Sequence, residues 1–252
     1  MPDVQYQNRA ESDVDGVIQR RFFPAQSNGV FVDVGAAKPN YLSVSALYRA
    51  LGWTILAIEP NPAYADLYRQ QGHTVLQYAC GSSDQDDVPF SVVDSHDVKY
   101  KNGRVSFESW SSLSIKDEYA GLRHYFDVTH IRVKMRRLDT ILAEHAANLK
   151  RIDILSVDVE GWELEVLSGL NIVRYAPRVM VIENLFFDRR YHDYMALRGY
   201  ALWKCLPPND IYARKDELGL AESAACYLRT SAVTGLGRAR KGISRLLRGS
   251  SH

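Results

Sequence analysis

The chain has 252 residues, of which 46% are hydrophobic and 24% are charged, and its formal net charge is +1. These values are typical of a soluble globular protein with one large α/β domain or two small ones. The sequence has no apolar run of about 18 residues and a polar, acidic N-terminus, which argue against a transmembrane helix and a secretory signal.

The basic residues are unevenly distributed. Residues 229–252 contain six basic residues and no acid, which leaves 25 basic and 30 acidic residues in 1–228. We therefore predict a single domain at 1–228 and a basic C-terminal tail at 229–252. The slightly acidic body argues against a nucleic-acid partner, which would need a concentrated positive surface. The three cysteines have no CxxC spacing, and we expect a cytoplasmic protein.

The predicted elements alternate between helix and strand along the chain. The predicted strands are short apolar runs between turn formers, at residues 30–36, 54–60, 73–79, 152–161, 178–184, 200–205 and 211–214. The predicted helices have apolar residues at helical spacing, at residues 12–23, 43–52, 61–72, 138–149, 162–170 and 188–199. We expect Ser12 and Asp139 to cap the first and fourth of these helices. Residues 85–132 form an insertion that we expect to contain added strands.

This order predicts a Rossmann-like α/β fold. Seven strands would form a mostly parallel sheet with helices on both faces, and the last two strands would form an antiparallel hairpin. No internal repeat is present.

The first strand, turn and second strand have the pattern of a nucleotide-binding βαβ unit. The first strand carries a single acid, Asp33, and breaks at Gly35, where the absence of a Cβ lets backbone approach a ligand. The second strand ends at Glu59, which lies 24 residues after Gly35, near the spacing of about 20 expected for a ribose-binding acid. The simpler alternative is that Asp33 and Glu59 are ordinary acids at loop edges.

The turn after the first strand, GAAKPN, lacks the GxGxxG that places a pyrophosphate on a helix N-terminus. A dinucleotide is therefore disfavoured. A cofactor with a ribose, no phosphate and an amino-acid tail fits better, and S-adenosylmethionine is the common one.

With these segments in place, the sequence resembles the FkbM family of S-adenosylmethionine-dependent methyltransferases. The resemblance covers residues 12–214, and its motifs are FVDVGA at 31–36, AIEPNP at 57–62, the pair Ser112 and Leu113, RLDTIL at 137–142 and DVEGWELEVLSGL at 158–170. It implies the class I methyltransferase fold, with a seven-stranded sheet and a reversed last hairpin.

The resemblance also implies positions for the cofactor. It assigns the 33–38 loop (Asp33, Gly35, Ala36 and Lys38) and Glu59 to the cofactor, with Glu59 on the ribose. The segment 79–82, with Cys80, Gly81 and Ser82, would border the adenine. Many members have a second glycine where this chain has Lys38 and Pro39, and here Lys38 would supply a charge to the methionine carboxylate.

Three residues are candidates for the catalytic base. A hydroxyl acceptor must lose a proton, and a general base typically contributes about 10² to 10⁴ in rate. Asp158 and Glu183 end neighbouring strands at the edge where open parallel sheets bind ligands. Asp158 is the first candidate, and its alternative role is to orient the cofactor or cap the next helix. His192 is a reserve base.

Asp158, Glu183 and Asn184 offer a second possibility, a shared divalent cation of the Mg²⁺ type, because hard oxygen ligands suit that ion. The DVEG motif does not require a metal. An apolar platform for the face of a sugar is a further hypothesis, built from Phe107, Trp110, Phe186, Phe187 and Tyr191, for which core packing is the commoner use.

The sequence therefore predicts an S-adenosylmethionine-dependent O-methyltransferase acting on a sugar, glycan, glycolipid or related natural product. A nicotinamide-dependent oxidoreductase and a non-catalytic binding module of the same fold are the alternatives. The basic tail, with Leu236, Ile243 and Leu247 among its arginines, suits peripheral contact with the inner face of the membrane, and a solvated tail is the alternative. A homodimer is the default oligomer.

Overall fold

The computed structural model describes residues 10–94, 99–100, 105–106, 111–113 and 126–230. The predictions for Phe107, Trp110 and residues 231–252 therefore lie outside the described residues.

The described chain contains twelve strands, in chain order β1 (Val30–Val34), β2 (Thr54–Ile58), β3 (Val75–Leu76), β4 (Ala79–Cys80), β5 (Gln85–Asp94), β6 (Lys99–Tyr100), β7 (Val105–Ser106), β8 (Asp127–Arg136), β9 (Ile154–Val157), β10 (Val179–Glu183), β11 (Tyr200–Leu206) and β12 (Asn209–Arg214). The α-helices are α1 (Val14–Phe22), α2 (Ser45–Ala50), α3 (Pro62–Gln70), α4 (Leu138–His145), α5 (Glu163–Ser168), α6 (Ile172–Tyr175) and α7 (Arg189–Ala196), followed by α8 at residues 220–230.

Seven of these strands form the main sheet, in the order β11-β12-β10-β9-β1-β2-β3. The pairs from β3 to β10 are parallel, whereas β12 is antiparallel to both β10 and β11. This confirms the predicted seven-stranded, mostly parallel sheet with a C-terminal antiparallel hairpin. The carboxyl ends of the parallel strands meet at one edge, where ligands bind in open sheets of this kind.

Helices cover both faces of the sheet and enclose two hydrophobic clusters. Helices α4 to α7 supply Leu138, Val166, Ile172 and Met195 to the larger cluster. On the opposite face, α1 and α2 supply residues such as Ile18 and Tyr48. The interior thus explains the 3–4 apolar spacing of the predicted helices, since one stripe of each faces the sheet.

The predicted third strand, 73–79, is divided in the structure. β3 closes the main sheet beside β2, but β4 leaves it and pairs in parallel with β8. The insertion forms a second sheet, β4-β8-β5, in which the two long strands are antiparallel. Added strands in the insertion were predicted correctly, and the division of the third strand was not.

Neither predicted helix cap is present. Ser12 has a positive φ of 59° and makes no cap hydrogen bond, so α1 begins two residues later. The Asp139 carboxylate accepts from the N–H of Asn171 at 2.8 Å instead of capping α4. The Ser12 hydroxyl donates to the carbonyl of Pro207 at 3.4 Å, so both residues contact a distant segment, which their spacing along the chain does not reveal.

None of the helices in the described part of the chain is long and apolar enough to cross a membrane.

Candidate active site

Two cavities adjoin each other at the carboxyl ends of the parallel strands. The first, which we call the apolar cavity, has an empty volume of about 520 Å³. Its lining comprises Val34, Gly35, Ala37, Glu59, Pro60, Tyr64, Tyr78, Ala79, Cys80, Phe90, Ser111, Ser112, Leu113, Asp158, Val159 and Trp162.

The second, which we call the acidic cavity, has an empty volume of about 920 Å³. Its lining comprises Glu11, Asp33, Gly35, Ala36, Ala37, Tyr41, Leu42, Ser43, Val44, Ser156, Asp158, Glu160, Glu183, Leu185, Pro208 and Asn209. The two cavities share Gly35, Ala37 and Asp158. The loop after β1 and the end of β9 therefore form the wall between them.

Gly35 brings these two segments together. Its φ is +77°, and a Cβ at this position would lie 1.8 Å from the carbonyl oxygen of Asp158. No other residue type fits, because the Cβ space is already filled by backbone. The missing Cβ of Gly35 was expected to leave room for a ligand. In the structure it leaves room for the end of β9, and so the loop after β1 lies against Asp158.

Glu59 closes the other side of that loop. Its Oε2 accepts from the N–H of Ala37 at 2.8 Å, and its Oε1 accepts from the N–H of Asn61 at 2.7 Å. The side chain is only 5% exposed, yet it lines the apolar cavity. Burial raises the pKa of Glu59 to about 7 in spite of these two hydrogen bonds. Each carboxylate oxygen retains a further lone pair for a ligand hydroxyl.

Asp33 lies on the acidic side of the same loop. Its carboxylate is hydrogen-bonded to the hydroxyl of Ser45, and the guanidinium of Arg49 is nearby. Burial nevertheless raises the pKa of Asp33 to about 6. The two acids of the βαβ pattern therefore face different cavities.

Three carboxylates converge in the acidic cavity. One oxygen from each of Asp158, Glu160 and Glu183 lies within 4.8 Å of the other two. Asp158 and Glu183 are hydrogen-bonded to each other, and burial and mutual repulsion raise the pKa of the pair. Solvent reaches the Asp158 side chain through the cavity although protein atoms surround it. This cluster can hold a proton or a cation.

Glu163 supports the cluster from behind. Its Oε1 accepts from the N–H groups of Val159 and Gly161 at 3.1 and 2.9 Å, and its Oε2 accepts from the Tyr191 hydroxyl at 2.5 Å. These bonds fix the DVEG turn, in which Glu160 has a φ of 58°. The strained conformation aims Glu160 into the acidic cavity, the kind of site where such strain is commonly found.

The structure does not support Asn184 as a metal ligand. Its Nδ2 donates to Asp210 Oδ2 at 2.8 Å, and its Oδ1 accepts from the N–H of Asp188 at 2.7 Å. Both ends of the amide are engaged in joining β10 to α7 and the hairpin, and the side chain lines neither cavity. Glu160, which was not among the predicted ligands, lies beside Asp158 and Glu183, and the role of Asn184 as a metal ligand stays a prediction.

The assignment of His192 as a base is also not supported. The side chain is buried, it lines neither cavity, and its Nδ1 lies 2.6 Å from the Tyr212 hydroxyl. Burial lowers its pKa. Helical periodicity placed His192 on α7 but could not show that this face of the helix packs against the hairpin.

Only part of the predicted adenine segment, 79–82, reaches the apolar cavity. Cys80 lines the apolar cavity, but Gly81 and Ser82 do not. The N–H of Gly81 donates to the carbonyl of Arg136 at 3.1 Å, and a Cβ on Gly81 would lie 2.6 Å from the sulfur of Met135. Gly81 is therefore needed for packing on β8, and its amide is not available to a ligand.

Lys38 and Ala36 have different environments. Ala36 lines the acidic cavity, and its carbonyl accepts from the Tyr68 hydroxyl at 3.1 Å. The Lys38 ammonium lies 5.5 and 5.9 Å from the ring centroids of Tyr64 and Tyr41, one from each cavity lining. Lys38 itself lines neither cavity, and its contact with a carboxylate stays a prediction.

Sequence reasoning missed most of the apolar lining. Four aromatic residues surround it, namely Tyr64, Tyr78, Phe90 and Trp162. The segment 111–113 also reaches it, because Ser112 exchanges two backbone hydrogen bonds with Ser91 of β5 at 2.8 and 2.9 Å. The motif pair Ser112 and Leu113 was the one sequence signal for this segment, although it did not show that the segment pairs with β5.

The proposed aromatic platform is not assembled at the cavities. Phe187 packs against the main core and Tyr191 is buried on Glu163, whereas Phe186 is exposed. None of the three lines either cavity. Their neighbour Leu185 is the residue of this segment that does so.

A sheet of this strand order, with a βαβ acid and an acid cluster at one edge, defines a protein of the class I methyltransferase fold. The comparisons with known proteins identify the group within that class. The family model described as the methyltransferase FkbM domain matches residues 33–202, which is more than half of the chain, and the chain belongs to that family.

One relative and one solved structure illustrate the range of the similarity. The chain is 28% identical over 124 residues to "Methyltransferase 1" of Beauveria bassiana, a match that covers 47% of this chain and 49% of the relative. The crystal structure of a methyltransferase FkbM from Methylobacillus flagellatus shares 15% identity at a TM-score of 0.42, covering 82% of this chain and 48% of that one. The chain thus spans about half the length of these relatives.

Proposed function

We propose that this chain is an S-adenosylmethionine-dependent O-methyltransferase that acts on a hydroxyl of a sugar, glycan, glycolipid or related natural product. The observation that carries the proposal is the position of Glu59, a buried carboxylate in the wall of the apolar cavity that lies next to the cluster of three acids. Membership of a methyltransferase family argues against the oxidoreductase alternative.

The residues of the apolar cavity fit the proposed cofactor. Glu59 has lone pairs left for the two ribose hydroxyls, and no neutral side chain would accept from both as well. The aromatic rings of Tyr64, Tyr78 and Phe90 offer apolar surface to an adenine. When bound, the cofactor would supply an electrophilic methyl group on a sulfonium.

The acidic cavity suits the acceptor. Its wall contains Asp158, which borders both cavities and so lies where a donor and an acceptor would meet. An acceptor hydroxyl there would pass its proton to the Asp158 carboxylate as its oxygen takes the methyl group, the carbon–sulfur bond would break, and the sulfur would leave as a neutral thioether. Glu183 would hold the other side of that carboxyl group, and orientation of the two reactants would supply much of the remaining rate.

A divalent cation is the alternative role for the same cluster. Asp158, Glu160 and Glu183 present hard oxygen ligands, which Mg²⁺ prefers. The ion would lower the pKa of an acceptor hydroxyl bound to it, and Asp158 would then be a ligand and not a base. We therefore include metal dependence in the proposal as a second form of the site.

The test is transfer of a radiolabelled methyl group from S-adenosylmethionine to a panel of sugars, glycolipids and macrolides, with Mg²⁺ or with EDTA. Mass spectrometry of the product locates the methyl group on oxygen, nitrogen or carbon. We expect an O-methyl product, and loss of transfer in EDTA with recovery in Mg²⁺ would support the metal form of the site.

Calorimetry with S-adenosylmethionine and with NAD separates the remaining alternatives. Tight binding of S-adenosylmethionine without transfer to any acceptor would favour a binding module of the same fold. Binding of NAD and not of S-adenosylmethionine would overturn the proposal.

A further inference from the structure

Helix α8 packs on the domain through its polar side chains. Glu222 accepts from the Arg21 guanidinium at the end of α1, with a Nε to Oε1 distance of 2.8 Å. One turn on, Cys226 is buried, and Arg229 donates to the carbonyls of Leu202 and Trp203 in β11. Glu222, Cys226 and Arg229 are four and three residues apart, so they lie on one face of the helix.

The opposite face of α8 is apolar and exposed. Leu220 is 94% exposed, Tyr227 75% and Leu228 69%, and Ala224 is exposed between them. Their spacing of four, seven and eight residues places them on one stripe. We call these four residues the outer stripe of α8.

This arrangement is the reverse of an ordinary surface helix, which buries its apolar side and turns its charges to water. The charged residues of α8 are Glu222 and Arg229, and both belong to the inner face. Exposed apolar stripes of this kind mark interaction sites. The outer stripe, with Leu220 and Leu228 the most clearly apolar of its exposed residues, therefore has the character of an interaction surface.

The charge of the following sequence indicates which partner. After Arg229, which is bound to β11, the sequence to residue 252 has five further basic residues and no acid. Apolar residues of a helix next to a basic segment match a bilayer surface with anionic lipids, whose headgroups attract the basic side chains while the acyl boundary accepts the apolar ones. A second copy of this chain fits less well, because a two-fold contact would bring two basic segments together.

We propose that the outer stripe of α8 is a docking surface for an anionic membrane. The inference does not rest on the methyltransferase activity proposed above, since it uses neither cavity. It would hold the catalytic domain at a bilayer surface.

The test uses the full chain in sedimentation with sucrose-loaded vesicles, either of phosphatidylcholine alone or of phosphatidylcholine with 30 mol% phosphatidylglycerol. The variant is Leu220→Asp with Leu228→Asp. The matched control is Val173→Asp with Leu197→Asp, because Val173 in α6 and Leu197 directly after α7 are 87% and 85% exposed and neither belongs to α8. Circular dichroism spectra and thermal unfolding midpoints confirm that each variant is folded.

We expect the wild type and the control to sediment with the anionic vesicles at least tenfold more strongly than with neutral ones. The α8 variant should lose at least tenfold in partitioning, and 0.5 M NaCl should weaken binding of the wild type. Equal sedimentation of wild type and α8 variant would overturn the proposal, as would failure of the wild type to bind anionic vesicles.

Analytical ultracentrifugation tests whether a second copy of this chain covers the outer stripe. A wild-type dimer that becomes monomeric in the α8 variant would identify the outer stripe as an interface between copies, and would also overturn the membrane assignment. Equal molar masses of the wild type and the α8 variant in solution support the membrane assignment.

Discussion

The carboxylate of Glu59 accepts a hydrogen bond from the backbone N–H of Ala37 at 2.8 Å, and so joins the end of β2 to the loop after β1. Ala37 has a positive φ of 45°, which turns its N–H towards the carboxylate. One acid thus fixes the loop and lines the apolar cavity at once. Removal of this carboxylate should weaken cofactor binding more than it destabilises the fold.

Glu59→Gln should weaken binding of S-adenosylmethionine by at least tenfold. The amide keeps one acceptor for the N–H groups of Ala37 and Asn61 but turns an NH₂ group towards the other, and it accepts poorly from two ribose hydroxyls. Calorimetry measures the change. Asp66→Asn, an exposed acid of α3 that pairs with Arg69, is the control, and equal affinity in Glu59→Gln and wild type would contradict the ribose assignment.

The unligated protein should be more stable at pH 5.5 than at pH 8. The folded pKa values of Asp33 and Glu59, about 6 and about 7, lie above the ordinary values of 3.8 and 4.5. Between those limits the folded state binds protons that the unfolded chain has released, so the free energy of unfolding falls as pH rises. Glu59 alone would account for about 2 kcal/mol of the difference between pH 5.5 and pH 8.

Chemical denaturation at the two pH values measures this difference. Asp33→Asn retains an acceptor for the Ser45 hydroxyl and removes the buried charge, so it should raise the free energy of unfolding at pH 8 by about 1 to 3 kcal/mol. The same substitution should have little effect at pH 4, where Asp33 is protonated in the fold. A stability that rises from pH 5.5 to pH 8 would show that these acids are not desolvated.

The sequence was sufficient for the sheet because buried strands and amphipathic helices leave periodic signals in it. Glu59 could be found for the same reason, since it ends a strand at a recognisable distance from Gly35. The side-chain partners of Asn184 and His192, Asp210 and Tyr212, could not be predicted because they lie on a hairpin that approaches them only in the fold. The aromatic residues of the apolar cavity come from four separate segments, and no local pattern relates them.

Asp158→Asn should lower the rate of methyl transfer by about 10² or more, the usual contribution of a base or of a metal ligand. Affinity for S-adenosylmethionine should change by less than threefold if Asp158 acts on the acceptor. Initial rates and calorimetry on the same preparation separate the two effects. Asp193→Asn is the control, because Asp193 is an exposed acid on α7. Asp153→Asn is unsuitable, because the Asp153 carboxylate accepts from the N–H of Val30.

The Asn184 and Asp210 pair should position Glu183. Asn184→Ala removes the hydrogen bonds to Asp210 and to the N–H of Asp188, and should cost about 2 to 3 kcal/mol of stability, since both partners are left in the interior. We also expect a lower kcat, because the chain on either side of Glu183 is held by these bonds. Denaturation and steady-state kinetics measure the two effects.

An exchange of the two residues tests the pairing itself. Asn184→Asp alone places two carboxylates together and should be at least as damaging as Asn184→Ala. Adding Asp210→Asn restores one donor and one acceptor, and should recover much of the stability and activity in a double-mutant cycle. Additive losses in the double variant would mean that the two side chains do not act through each other.

His192→Gln should leave the pH profile of methyl transfer unchanged while lowering stability. The imidazole lies in the interior, where its Nδ1 is paired with the Tyr212 hydroxyl at 2.6 Å and its Nε2 has no hydrogen-bond partner. A glutamine can accept from the same hydroxyl but fits the buried space of the imidazole ring less well, so about 1 to 2 kcal/mol of stability should be lost. Profiles of kcat and kcat/KM from pH 5.5 to pH 9 provide the measurement. If His192 were the base, its substitution would shift or abolish the acidic limb of the profile. Loss of that limb in a His192→Gln protein that still binds S-adenosylmethionine would therefore show that His192 acts as a base.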